Sequence, residues 1–135
     1  MQHTQIACCW CNLMLDITGV PFTGMREHNG TRTWYLNGQP HREVDAAIEY
    51  ADGSKHWCIA GRLHRIDAPA IMRANGDEYW YTHGELHRLD GPAIEYASGA
   101  TLWYLYGVKY PTFAEYADAA GLTGAEQTLF LLRWK

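Results

Sequence analysis

The sequence predicts a mainly β chain: a meander of 23-residue β-hairpin repeats in one twisted antiparallel sheet, with a short helical cap at the C-terminal end. Three observations predict it. Trp34, Trp57, Trp80 and Trp103 stand 23 residues apart. Two glycine series keep the same step, Gly30, Gly53, Gly76, Gly99 and Gly38, Gly61, Gly84, Gly107. Turn dipeptides of the Asx-Gly kind, Asn37-Gly38, Asp52-Gly53 and Asn75-Gly76, interrupt apolar alternation, the strongest short-range hairpin signal. His41, His64 and His87 follow the period, as do Arg42, Arg65 and Arg88, and Ile48, Ile71 and Ile94. So many residue classes in register define a repeat.

A chain of 135 residues fits one domain, 1–135. Residues 1–29 are expected to form an N-terminal cap, with a degenerate strand pair through IACCWC; the repeats fill 30–110 and the C-terminal cap 111–135. Counted as two-residue loops, the Asx-Gly turns set Ile48 opposite Trp57, Tyr50 opposite Lys55, Ile71 opposite Trp80 and Arg73 opposite Glu78. The same reading of Ala60-Gly61 and His83-Gly84 pairs Trp57 with His64 and Trp80 with His87. Ile, Trp and His then share one face, and Tyr35, Cys58, Tyr81, Tyr104, Leu63, Leu86 and the alanines 47, 70 and 93 share the other. Pro69 and Pro92 cannot donate to a ladder and mark corners, where Asp67 and Asp90 would cap the bend and neutralise Arg65 and Arg88. The first unit moves its Asp to position 45 and lacks the proline, which predicts a looser corner. Beyond Gly107 the period stops. Thr112 and Thr123 can each cap a short helix, with Glu126 at the capping-box position and Leu129, Phe130, Leu132 and Trp134 on the apolar side of the second.

Composition excludes several classes of function. The formal charge is −4 and Lys/Arg do not cluster, so direct nucleic-acid binding is not expected. No apolar run approaches a membrane span, and the N-terminus reads poorly as a signal peptide. Cysteines at 8, 9, 11 and 58 do not read as a disulfide framework, which suggests reduced thiols. Cys8 and Cys11 form one C-x2-C, half of a zinc site whose second half is missing. His41, His64 and His87 recur roughly 10 Å apart across the sheet, too far to share an ion. No cofactor is expected. Nucleophile elbow, phosphate loop and zincin motifs are all missing, so no catalytic residue is assigned and the chain reads as a non-enzyme.

The stretch IEYADGSKHWCIAGRLHR resembles the MORN repeat, whose hairpins share this pitch. Residues 30–117 are similar to small proteins of bacteriophages and large DNA viruses that carry tandem W-Y-x-N-G-x-x-H-R-x-D-G-P-A units and a TF-x-E-Y/W tail. The match to MORN itself is partial, because Trp57-Cys58 and Trp80-Tyr81 stand where MORN units place glycines. The resemblance implies a non-catalytic binding surface in a small viral protein, acting in the cytoplasm of an infected bacterial cell on a host defence or regulatory protein. A nucleic-acid-handling protein with a basic surface would suit the acidic charge. On this reading the interaction face is built from Trp34, Trp57, Trp80, Trp103, Tyr81 and Tyr104, with His64, His87, Arg42, Arg65 and Arg88 around them. The alternatives are a binder that sequesters a nucleotide signal or glycan, and a structural virion component. Exposed edges of a short meander also allow a homodimer by strand addition.

Overall fold

The computed structural model of the chain describes residues 13–134. The first hairpin joins β1 (Gly24–His28) to β2 (Thr31–Leu36) across Asn29-Gly30, in register from Gly24↔Tyr35 to His28↔Thr31. A short β3 (Gln39–Pro40) folds back on β2 across Asn37-Gly38. Gly38 is needed there: a Cβ would stand 2.6 Å from the Met14 carbonyl oxygen, and Met14 donates its N–H to the Gly38 carbonyl.

The second unit shows the plan. β4 (Ile48–Glu49) pairs with β5 (Lys55–His56), the chain steps sideways at Trp57, and β6 (Cys58–Ile59) pairs with β7 (Arg62–Leu63). The third unit repeats it with β8 (Ile71–Met72), β9 (Glu78–Tyr79), β10 (Tyr81–Thr82) and β11 (Glu85–Leu86). β12 (Ile94–Glu95), β13 (Thr101–Leu105) and β14 (Val108–Tyr110) close the array. The protein is therefore mainly β, one large antiparallel sheet in the order β1-β2-β4-β5-β8-β9-β12-β13-β14 with β3 on β2. The hairpins β6-β7 and β10-β11 stand beside it as a second row. The single sheet expected from sequence is thus present, but the strands are interrupted at Trp57 and Trp80, which leaves two hairpins outside it, whereas β2 and β13 run unbroken through Trp34 and Trp103.

The two turn series differ. Ala60-Gly61 is a two-residue loop with both residues left-handed (φ 49° and 77°), the type I′ geometry that matches strand twist. His64 N–H donates to the Trp57 carbonyl at 3.0 Å and His87 to Trp80 at 3.1 Å, the pairing this loop length requires. At Asp52-Gly53 the expected register is wrong. Tyr50 N–H bonds the Ser54 carbonyl, so the loop holds three residues, 51–53, with only Gly53 left-handed (φ 93°). Ile48 therefore faces His56 rather than Trp57. Likewise Ile71 faces Tyr79, not Trp80, and Met72 rather than Arg73 faces Glu78. A one-residue slip exchanges the faces of a strand, so the isoleucines leave the tryptophan side.

They enter the core instead. Ala47, Ile48, Cys58, Leu63, Ala70, Ile71 and Tyr81 form one buried cluster, with Tyr50, Tyr79 and Leu86 packed against it. Cys58 is wholly buried and disulfide-bonded. The expectation of reduced thiols fails at this position. The Cys8-Cys11 pair and the IACCWC strand pair also lie outside the described residues.

Two short helices cap the end, α1 (Phe113–Ala119) and α2 (Gly124–Arg133). Thr112 and Thr123 cap them in reciprocal boxes with Glu115 and Glu126. Tyr116, fully buried, donates its hydroxyl to the Arg88 carbonyl at 2.8 Å. Of the expected apolar side of α2, Phe130 meets Phe113 and Tyr116, and Trp134 reaches the array, whereas Leu129 and Leu132 are exposed. Phe130 and Trp134 are four residues apart and share a helix face, which turns the two leucines away.

Candidate functional site

Each unit builds the same rung from its His-Arg pair. The arginine folds back over its own unit's indole: Arg42 over Trp34 at 4.0 Å, Arg65 over Trp57 at 3.8 Å, Arg88 over Trp80 at 3.9 Å. Each such cation–π contact is worth about 0.5–2 kcal/mol depending on desolvation. The guanidinium Nη1 then donates to a corner carbonyl four residues on, that of Ala46, Pro69 or Pro92. The HR-x-D-x-P stretch is thereby a clasp that holds its own bend.

The preceding histidine ties one unit to the next. Nδ1 of His41, His64 and His87 accepts the N–H of Ala60, His83 and Tyr106, each at 3.0 Å. The donors are the first residues of the neighbouring type I′ turns. The His64 ring packs on His83 and the His87 ring stacks on Tyr106, with centroids at 4.4 and 4.0 Å. Burial lowers the pKa of both imidazoles, His83 adding to the effect at His64 and Glu85 opposing it at His87. An unprotonated Nδ1 is what these bonds demand. Gly61, Gly84 and Gly107 add backbone bonds to the Pro40, Leu63 and Leu86 carbonyls.

The expected interaction residues thus divide among different places. Tyr81 lies in the core and Trp57 is buried as well. Trp34, Trp80 and Tyr104 are half-buried. Trp103 packs on Phe113 and Tyr116 of the cap, where Pro111 takes the arginine's place in the motif. The indole of Trp134 covers the outer side of Arg88 at 4.8 Å and sits against Gly91.

What the sequence reading missed lies seven residues after each arginine. Glu49 is 3.6 Å from Arg42 Nη1, and Glu95 is 2.5 Å from Arg88 Nη1. Asp90 also binds Arg88 at 2.7 Å, the neutralising role expected of it. Asp67 makes no such pair with Arg65 among the described residues. Asp45 stands 3.9 Å from Arg42, a weak version of the same contact. The recurring Arg-x6-Glu spacing was the available signal, and Met72 breaks it in the second unit.

The corners themselves project apolar side chains into solvent. Val44 is 91% exposed, Ile66 74% and Leu89 55%. Between the second and third corners lies an open cleft of about 300 Å³, lined among others by Arg65, Asp67, Trp80, His87 and Arg88. Among the described residues no group of His, Cys, Asp or Glu could hold a metal ion, and no helix is long and apolar enough to cross a membrane. Comparison with protein-family models, with curated proteins and with solved structures finds no match for the chain.

Proposed function

We propose that the protein is a non-catalytic interaction module that binds and inhibits a host protein through its repeat array. The observation that carries the reading is the set of exposed apolar corner residues Val44, Ile66 and Leu89, each fixed on a bend that its own Arg-Trp rung makes rigid. Apolar side chains held in solvent on preorganised backbone lose little entropy on docking, which favours recognition. The viral setting, with a defence or regulatory protein of an infected bacterium as target and the host cytoplasm as location, rests on the resemblance to phage and large-virus repeat proteins. MORN-like repeats serve the same kind of role.

The ligand-sequestering alternative has one feature in its favour, the cleft that gathers Arg65, Arg88 and Trp80. It is weaker because Arg88 lies across the Trp80 indole that would have to stack a base or sugar, and Arg88 is already bound by two carboxylates.

The test is native mass spectrometry of the tagged chain recovered from bacterial lysate, beside a folded Ile66→Asp/Leu89→Asp variant. The proposal expects a protein at fixed stoichiometry with the wild type and its loss with the variant. A small-molecule mass increment present in both samples would reverse the choice.

A further inference from the structure

The three arginine rungs share the indole contact and the corner bond, and differ in the carboxylates that meet the guanidinium. In the first and third, the chain itself brings a glutamate to the guanidinium, Glu49 to Arg42 and Glu95 to Arg88. In the second, the equivalent residue is Met72, whose sulfur lies 3.9 Å from Arg65 Nη1. No carboxylate stands within ion-pair distance of Arg65 among the described residues. Of its five N–H donors, those on Nη1 reach the Pro69 carbonyl and this sulfur.

The surroundings do not bring another carboxylate into contact with Arg65 among the described residues. Met72 is flanked by Lys55 on one neighbouring strand and Glu78 on the other, whose charges offset each other. Asp45 acts on Arg65 only at longer range. The third rung is also covered by Trp134, which fits because Gly91 has no side chain. The second corner has Ala68 at the matching position, so its methyl group disfavours an indole in that pose. Arg65 opens on the cleft, flanked there by Ile66 and Leu89.

We infer that Arg65 is the docking point for a carboxylate side chain of the partner, which completes the second rung as Glu49 and Glu95 complete the others. This rests on the interaction reading above and gives the partner its chemistry: an Asp or Glu flanked by apolar residues. The carboxylate meets the guanidinium while its neighbours cover Ile66 and Leu89. A guanidinium fork suits this planar anion, and flattening against Trp57 already fixes its orientation.

The experiment uses the 15N-labelled full chain and N-acetyl-Leu-Glu-Leu-amide, with the Gln tripeptide as control. The Arg65 Nε–Hε signal is assigned by its disappearance in Arg65→Lys. The Glu peptide is expected to shift it saturably and the Gln peptide to leave it in place. Met72→Glu supplies an internal carboxylate and should weaken the Glu peptide about tenfold or more, whereas Met72→Gln should not. Equal response to both peptides, no response, or indifference to Met72→Glu would overturn the inference. A shift caused by inorganic phosphate alone would replace it with a phosphate site. A captured protein that is lost with Ile66→Asp/Leu89→Asp but retained by Met72→Glu would sink this inference and leave the interaction module standing. Retention by the aspartate variant would sink the module itself.

Discussion

At the scale of single residues, histidine divides into two uses. His41, His64 and His87 are acceptors between units; their spacing in the sequence marked the repeat and set His64 and His87 on the candidate interaction face without revealing the bond. His56 is different. It sits under Tyr50, ring centroids 4.8 Å apart, with its pKa pushed down to about 4 by burial, Arg73 adding to the effect and Asp52 opposing it. An unfolded histidine titrates near 6.5. Above that pH both states are neutral and the buried imidazole is tolerated. As pH falls from 6.5 towards 4 the unfolded chain takes up a proton that the folded one refuses, so about 3 kcal/mol of stability is lost across that window. His64 and His87, also lowered, act in the same direction. Thermal unfolding should shift to lower temperature between pH 7 and 4.5, and His56→Gln should make the profile shallower. An unchanged slope in that variant would remove His56 as the cause.

At the scale of elements, turn chemistry decides what could be foreseen. That hairpins exist, where they turn and how often they recur was legible from glycine and tryptophan alone. Loop length was not, because Asp-Gly and Asn-Gly suit both a two-residue type I′ loop and a three-residue loop ending in a left-handed glycine. The wrong choice placed the isoleucines on the tryptophan side, whereas Ile48 and Ile71 pack in the core. Conversely Ala60, His83 and Tyr106 occupy left-handed positions (φ 49°, 49° and 48°) that disfavour side chains. Each donates its N–H to a histidine and thereby gains a bond that offsets the strain. The corner of the third unit offers a direct check. A methyl group at Gly91 would stand 2.7 Å from Trp134 and 2.9 Å from Arg88. Gly91→Ala should therefore displace the C-terminal indole at a cost of about 1–3 kcal/mol, read as a lower unfolding midpoint and a red-shifted tryptophan fluorescence. An unperturbed spectrum would mean that Trp134 does not cap the third rung.

At the scale of the whole molecule, each unit bonds chiefly to its neighbours, so stability should approximate a sum of units and interfaces. Removal of residues 74–96, one full period from turn to turn that spares Cys58, should leave a folded chain that melts earlier in a single transition; an unfolded product would show that the units are not interchangeable. The fastenings also run in one direction, from each histidine to the turn that follows. The last hairpin places Tyr110-Pro111 where His-Arg would stand and then enters the helices. In genetic terms the array is a directional polymer with a chain terminator. Duplication of an internal segment of the gene adds one more link between existing fasteners, whereas duplication of the final segment inserts a stop into the middle of the course.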